Sequence, residues 1–420
     1  MRTNFSLAQL ADPALGKAEK NLRACIHCGI CTATCPTYVL LGDERDSPRG
    51  RIVMMQKMLE EGGAPSPETV FHVDRCLSCL ACRTACPSSV DYSRLVDTAR
   101  VHIETHYRRP RAERLLRKFI AEVLTRPNRT RAAVSLAQKF SGVAKRLPGR
   151  LGAMARKGAS LNLRKPSIMR PVGNPSKRVA LMPGCVQAAM APEIDEAASR
   201  VLARRGVALQ PLESAGCCGA LPYHLGEVSA AKMWARRAIE AFEESGCDGV
   251  LISATGCGAH LKDYAHLLAD EPQWAARAKN FSEKVQDFSQ LATPHEAKPP
   301  RRLRVAYQIA CSLQHGVRLS GQGEALISAA GHEVLQIPEG HLCCGSAGSY
   351  SLLQPDLSSQ LRARKLSNIA SLACDAAVSG NIGCISHLAG EDAPPIIHLA
   401  ELIDWSEGGP EPVALAKPPR

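Results

Sequence analysis

Cys25-Ile26-His27-Cys28-Gly29-Ile30-Cys31-Thr32-Ala33-Thr34-Cys35-Pro36 carries the spacing C-x2-C-x2-C-x3-C-P, and Cys76, Cys79, Cys82, Cys86 and Pro87 repeat it. Two-residue gaps let three thiolates wrap one corner of a cubane within a single tight loop, while the fourth cysteine points away and serves the other cluster. The spacing therefore predicts two 4Fe-4S clusters with crossed ligation. Cys25, Cys28, Cys31 and Cys86 would surround one, and Cys76, Cys79, Cys82 and Cys35 the other. A tetrahedral zinc site rarely uses three evenly spaced cysteines plus Cys-Pro. Pro36 and Pro87 suit a first helical turn, where the missing N–H costs nothing. His27 reads as a loop residue, with a hydrogen bond to a cluster sulfur as the alternative.

Working outward, Ile52, Met55, Met58 and Leu59 recur at helical spacing, as do Leu95, Val96, Ala99 and Ile103. The first 107 residues thus read as a mainly α-helical two-cluster unit. The chain has 420 residues and 18 cysteines, and no stretch approaches the roughly 18 apolar residues of a membrane-spanning helix. Its N-terminus lacks the apolar core of a signal peptide, so the expected location is the cytoplasm, where thiols stay reduced and favour metal ligation over disulfides.

From about residue 176 the cysteines repeat. Cys185 corresponds to Cys311, Cys217-Cys218 to Cys343-Cys344, Cys247 to Cys374 and Cys257 to Cys384. Arg178-Val179-Ala180 matches Arg304-Val305-Ala306, and Cys-Cys-Gly occurs in both halves. Each half reads as alternating strands and helices: in the first, strand Val179 to Met182, helix Glu193 to Arg205, strand Val207 to Leu212, helix Val228 to Glu244 and strand Gly249 to Ser253, then a cysteine loop. Such alternation implies a parallel α/β sheet. Adjacent cysteines cannot close a relaxed disulfide but can reach neighbouring irons. Cys185, Cys217, Cys218 and Cys257, and Cys311, Cys343, Cys344 and Cys384, should converge at the loop end of their sheets. His260 and His387 each follow the last cysteine by three residues, and ligation and a helix-face or capping role are both open for them. Cys247 and Cys374, just before strands, read as packed core residues, and His224, His315 and His398 as structural.

These motifs together resemble the iron–sulfur subunits that accompany flavin-dependent 2-hydroxy-acid dehydrogenases, most closely the glycolate oxidase (glycolate dehydrogenase) family. The likeness is carried by Cys25 to Tyr38, by Gly42-Asp43-Glu44 and Ser47-Pro48-Arg49-Gly50-Arg51-Ile52, and by Gly380-Asn381-Ile382-Gly383-Cys384. It implies oxidation of glycolate to glyoxylate on a partner flavoprotein carrying FAD, with electrons passing through this chain toward a quinone or similar acceptor. Equivalent subunits for lactate or glycerol 3-phosphate are the alternative. No flavin is expected on this chain, since no G-x-G-x-x-G follows a strand. The Cys-Cys-Gly halves are also similar to the catalytic subunit of heterodisulfide reductase, whose five-cysteine pattern holds a non-cubane cluster. Here His260 and His387 replace the last cysteine. A non-cubane cluster, a cubane, another metal, or an empty half all stay open, as does a self-contained heterodisulfide-reductase-like enzyme.

Residues 108–170 hold 18 Arg and Lys against Glu113 and Glu122, which leaves the rest of the chain slightly acidic under a net charge of +12. Leu115, Leu116, Phe119, Ile120 and Val123 recur there at helical spacing. A solvated connector, a docking surface for an acidic partner, and contact with anionic lipid on the cytoplasmic face of the inner membrane are three competing readings. Nucleic acid is not expected, because no aromatic row accompanies the charge. The expected class is α+β: a helical ferredoxin-like unit (1–107), a basic, partly helical connector (108–175), two duplicated α/β repeats (176–300 and 301–408) and a disordered tail (409–420).

Overall fold

The computed structural model describes residues 1–139 and 166–416. Helices dominate the N-terminal unit, and their starts are written in the chain. Pro13–Ala24, Pro48–Glu61 and Pro67–Asp74 each place proline in the first turn behind Asp12, Ser47 or Ser66, whose side chains accept from backbone N–H groups of that turn. Gly42 and Gly62 close two helices in the left-handed conformation. Leu22, Met55, Leu59, Leu95, Val96, Ala99 and Ile103 are almost wholly buried in one core, joining Pro13–Ala24, Pro48–Glu61 and Tyr92–His106.

Pro36 opens the helix Pro36–Leu41 as its spacing suggests. Pro87 does not open a helix: it begins a turn, because Ser89 takes a left-handed φ of 53°, and the next helix starts only at Tyr92.

The repeats form two four-stranded parallel sheets. In the first, β1 (Lys177–Leu181), β2 (Val207–Pro211), β3 (Gly249–Ile252) and β4 (Val285–Asp287) lie in the order β2-β1-β3-β4. In the second, β5 (Arg304–Tyr307), β6 (Glu333–Leu335), β7 (Ala376–Ser379) and β8 (Ile396–His398) lie in the order β6-β5-β7-β8. The duplication extends to hydrogen bonds. The Arg178 N–H donates to Asp248 at 2.9 Å in one sheet, and the Arg304 N–H donates to Asp375 at 2.6 Å in the other.

The two repeats share a core. Helix Pro192–Arg204 of the first packs on helix Leu399–Ser406 of the second, with Val201, Leu202, Leu402 and Ile403 buried between the sheets. Arg200 and Arg204 close the seam on Asp404, at 2.8 and 2.7 Å. Of the expected tail (409–420), Leu415 is buried in this core and Val413 is exposed, and 417–420 lie outside the described residues.

Helical spacing in the basic segment gives helix Arg111–Phe119, one wider π turn at Ile120–Leu124 and helix Pro127–Lys139. Arg109 and Arg117 there are buried and paired with Asp74, Glu104 and Glu113, so part of this charge is neutralised within the chain. Residues 140–165 of the segment lie outside the described residues. Among those described, no helix is long and apolar enough to cross a membrane.

Candidate iron–sulfur sites

Both N-terminal cysteine loops are bent the same way. His27 and Gly29 have φ of 58° and 80°, and Ser78 and Leu80, at the matching positions of the second loop, have 52° and 63°. Three of those four residues are not glycine and hold a conformation that costs energy unless the surroundings demand it. The kinks curl each loop around a centre. A cavity of about 30 Å³ is lined by Cys25, Cys28 and Cys31 and, from the other motif, by Cys82 and Cys86. Across the unit Cys35 lies among Cys76, Cys79 and Cys82, close enough for charge on one thiol to raise the affinity of Cys79 and Cys82 for protons beyond what burial does. Cys86 of the second motif thus stands beside the first loop, and Cys35 of the first motif beside the second.

Their surroundings differ. Cys28 is exposed. Around the second set, Arg51 is 1% exposed, donates to Asp46 and to the His72 carbonyl, and brings Nη1 to 3.8 Å from the Cys35 sulfur. Tyr92, also buried, donates to the Cys76 sulfur at 3.8 Å. Arg100 holds the same loop through the Cys76 carbonyl and Ser78, at 2.8 and 2.7 Å.

In the repeats, one cysteine follows the first strand of a sheet, the adjacent pair follows the second, and one follows the third. The chain order of those strands reverses between β1 and β3, and again between β5 and β7, and ligand crevices of parallel sheets lie at such points. The Cys185 and Cys217 sulfurs are 3.5 Å apart, and those of Cys311 and Cys343 3.7 Å apart. Within each nest the protons are shared unevenly. Contact with Cys185 and then with Cys218 raises the proton affinity of Cys217, contact with Cys218 raises that of Cys257, and that of Cys218 is lowered in turn. Cys343 and Cys384 treat Cys344 alike. The glycine that follows is required by shape. Gly345 has φ of 95° and its missing Cβ would sit 2.7 Å from the Ser358 carbonyl; Gly219 has φ of 81°.

Cys257 and Cys384 lie in the helices Thr255–Leu261 and Ile382–Leu388, not in the loops expected, because each strand turns directly into a helix. One turn later on those helices, His260 and His387 are brought beside Cys218 and Cys344. Neither caps its helix. His260 is 6% exposed, with its ring 5.1 Å from Tyr223, and His387 Nε2 lies 3.3 Å from the Ser358 hydroxyl. Cys247 is buried before β3 and Cys374 half-buried before β7, each packed in the apolar core of its repeat. His398 and His315 are held by the backbone: His398 Nε2 is 2.9 Å from the Ser253 carbonyl, and His315 Nε2 3.1 Å from that of His341.

Sequence reasoning missed Lys365, which is 2% exposed and feels the charge of Cys343, Cys344 and Cys384. Its signal is a lysine on the face shared with Leu361, Leu366 and Ile369 of one helix. It also missed Asn381, whose amide donates to the Cys384 sulfur at 3.4 Å.

Comparison with known proteins agrees with this geometry. A 4Fe-4S dicluster domain matches residues 24–90, and a cysteine-rich domain matches 179–262 and again 305–389. The glycolate oxidase iron-sulfur subunit of Escherichia coli is 38% identical over 397 residues, covering 92% of this chain and 95% of that protein. This chain belongs to the family of glycolate oxidase iron–sulfur subunits. A probable member from Bacillus subtilis is 32% identical over 92% of the chain and 94% of its own length. Lactate utilization protein A of Geobacillus kaustophilus is 27% identical over 54% of this chain and 98% of its own. A hypothetical protein from Helicobacter pylori, of known structure, shares the fold with a TM-score of 0.60 at 8% identity, covering 96% of this chain and 74% of that one. As a member of this family the chain is an iron–sulfur electron-transfer subunit.

The residues fit the clusters they would carry. Cysteines converge from separate elements, backbone N–H groups of Ser78, Gly219 and Gly345 lie 3.3 to 3.5 Å from cysteine sulfurs, and apolar side chains cover the loops.

Proposed function

We propose that this chain is the electron-transfer subunit of a flavin-dependent glycolate dehydrogenase, taking electrons from a partner flavoprotein that oxidises glycolate to glyoxylate and passing them toward a quinone or similar acceptor. The observation that carries this reading is the continuity of the cysteine sets. Leu77 and Cys79 of the second ferredoxin-type loop pack in one apolar cluster with Cys311 and Cys343 of the second repeat. When bound, iron–sulfur clusters accept and release one electron at a time, which suits a flavin donor.

The chain's own residues set the rest. Cys25, Cys28, Cys31 and Cys86 would hold one cluster, and Cys76, Cys79, Cys82 and Cys35 the other. Cys185, Cys217, Cys218 and Cys257 with His260, and Cys311, Cys343, Cys344 and Cys384 with His387, are the candidate ligands of the repeats. Around the first loop, Ile26 and Ile30 are 67% and 53% exposed beside Cys28, an apolar rim suited to a docked partner. Buried Arg51 and Tyr92 shield the second set from water. Catalysis on the hydroxy acid itself is assigned to the partner.

Anaerobic purification with the partner subunits, followed by glycolate and electron paramagnetic resonance, tests this. Copurified flavin and glycolate-dependent cluster signals are expected. Failure of glycolate to reduce the clusters, with lactate succeeding, would favour the second reading, which the lactate utilization relatives support.

A further inference from the structure

The two cysteine nests share a backbone plan but not their surroundings. Gly219 abuts Ala231 and Trp234 of the helix Val228–Ser245, and Gly345 abuts Ser358 and Leu361 of the helix Pro355–Ala370, so the two helices correspond residue for residue. That register sets Lys365 against Ala238. Counting from the cysteines sets Ser346, two residues after Cys344, against Ala220, and Asn381, three before Cys384, against Ala254. Three polar positions around the second nest are thus alanines around the first.

The Ser346 hydroxyl lies 3.4 Å from the Cys344 sulfur and can donate to it once the thiol has lost its proton, and the Asn381 amide donates to the Cys384 sulfur at 3.4 Å. Lys365 is buried on a helix whose Leu361 clusters with Cys343 and whose Leu366 and Ile369 cluster with Cys344 and Cys384. Its ammonium donates to the Glu339 backbone carbonyl at 3.0 Å, while the Glu339 carboxylate is held by Arg364 and Asn368 at 2.7 and 3.0 Å. The negative charges that Lys365 feels most are those of Cys344, Cys343 and Cys384, ahead of Glu339. A buried ammonium is costly unless negative charge faces it, and here the nest itself supplies that charge. Ala220, Ala238 and Ala254 give the first nest neither a donor nor a charge. They pack in the apolar core that holds Cys185, Cys217 and Cys218.

The nests also stand unequally to the N-terminal unit. Cys79 packs in one apolar cluster with Cys311 and Cys343, and charge on Cys311 is felt at Cys79. The cluster around Cys185, Cys217 and Cys218 holds no N-terminal cysteine among the described residues. We infer that duplication has made one nest the relay: the second, with Lys365, Ser346 and Asn381 as positioning residues, is reduced before the first and takes electrons from the neighbouring Cys76, Cys79, Cys82 and Cys35 set. The inference rests on the electron-transfer reading above, whichever hydroxy acid supplies the electrons. A fixed positive charge and hydrogen bonds to sulfur stabilise the reduced, more negative state and so raise the potential. One electron leaves the first-named set and one arrives at the second nest. No bond breaks and no proton moves, because Lys365 supplies the compensating charge permanently.

The test is a redox titration of the iron-loaded complex of this chain with its partner subunits, poised with dithionite and mediators and read by electron paramagnetic resonance. It needs no hydroxy acid. The second-nest signal is the one that Cys384→Ser changes, and the first-nest signal the one that Cys257→Ser changes. Lys365→Met, close in length but uncharged, should lower the reduced-to-oxidised ratio of the second-nest signal at fixed potential roughly tenfold or more, about 59 mV for one electron, with iron content unchanged. The double variant Ser346→Ala, Asn381→Ala should lower the ratio roughly threefold or more, and it decides the matter where Lys365→Met fails to load iron. Absence of any redox signal sensitive to Cys384→Ser overturns the inference. So does a first nest reduced at the higher potential, or a second-nest midpoint unmoved in every variant that loads iron. Second-nest reduction ahead of the first, shifted down in these variants, supports it. If glycolate and lactate then reduce no centre, the hydroxy-acid reading falls while the inequality of the nests stands.

Discussion

Arg51 is a guanidinium with almost no water around it. It is held by Asp46 at 3.1 Å and by the His72 carbonyl at 2.7 Å, and it faces the Cys35 sulfur. A fixed positive charge beside a cluster ligand favours the reduced, more negative state, so it should raise the potential of the cluster held by Cys35, Cys76, Cys79 and Cys82. Arg51→Gln is expected to lower that midpoint by roughly 50 mV, the scale of a single charge several ångströms away in a partly screened interior. Redox titration followed by electron paramagnetic resonance measures it. Arg51→Lys, which keeps the charge, should stay near the wild-type value. Gly345 allows a second test at this scale. An alanine there would need a left-handed φ and would press on the Ser358 carbonyl, so Gly345→Ala should cost about 2 kcal/mol or more, read as a fall in denaturation midpoint. The contrast between these residues explains what was legible. Cys-Cys-Gly announces itself because spacing and chemistry coincide in a few consecutive letters. Arg51 and Lys365 do not, since each is an ordinary charged letter in a helix, and only the packing of other elements reveals that it faces inward.

At the scale of elements, strand and helix positions of the first repeat fall within a residue or two of those the periodicity predicts, because alternating apolar runs bounded by glycine fix them. The sequence does not disclose that the repeats fuse, since that depends on which helix faces meet. His398 sits at that fusion. Its Nδ1 accepts from the Ala400 N–H at 3.0 Å and so caps its helix, which leaves Nε2–H to donate to the Ser253 carbonyl of the other repeat. His398→Ala should therefore cost about 2 kcal/mol, by loss of a cap and of a buried hydrogen bond. The same cap carries Glu401, which accepts from the His398 N–H at 3.0 Å and whose carboxyl is pushed up to about 7, chiefly by burial. Between about pH 4.5 and 7 the folded chain then holds a proton at Glu401 that the unfolded chain has released. Stability must fall as pH rises through that window. Glu401→Gln keeps the capping acceptor and removes the titration, so it should raise stability at pH 8 by about 1–2 kcal/mol and leave it almost unchanged at pH 4.5, as denaturation at the two pH values would show.

For the whole molecule, the decisive contrast is between a part with strained cysteine loops and a part built on two fused sheets. The N-terminal unit has one modest core, and its two cysteine loops hold His27, Ser78 and Leu80 in a conformation that free chains avoid. The repeats are tied together by parallel sheets, a shared core and the Arg200, Arg204 and Asp404 seam. The parts are also clasped to each other, by Arg94 on Asp263, by the Thr84 hydroxyl 2.8 Å from His315, and by the Tyr350 hydroxyl donating to the Arg75 carbonyl at 3.1 Å. Stripping iron with a chelator under oxidising conditions removes the interaction that holds the strained loops. Hydrogen exchange on the stripped chain should accelerate through residues 20–106, by roughly a hundredfold or more at Leu95 to Ile103, for a local loss of about 3 kcal/mol. Strands β1, β3, β5 and β7 should keep their protection within roughly tenfold. Equal loss in both parts would mean that the clasps transmit unfolding, and that the repeats depend on iron as much as the loops at Cys25 and Cys76 do.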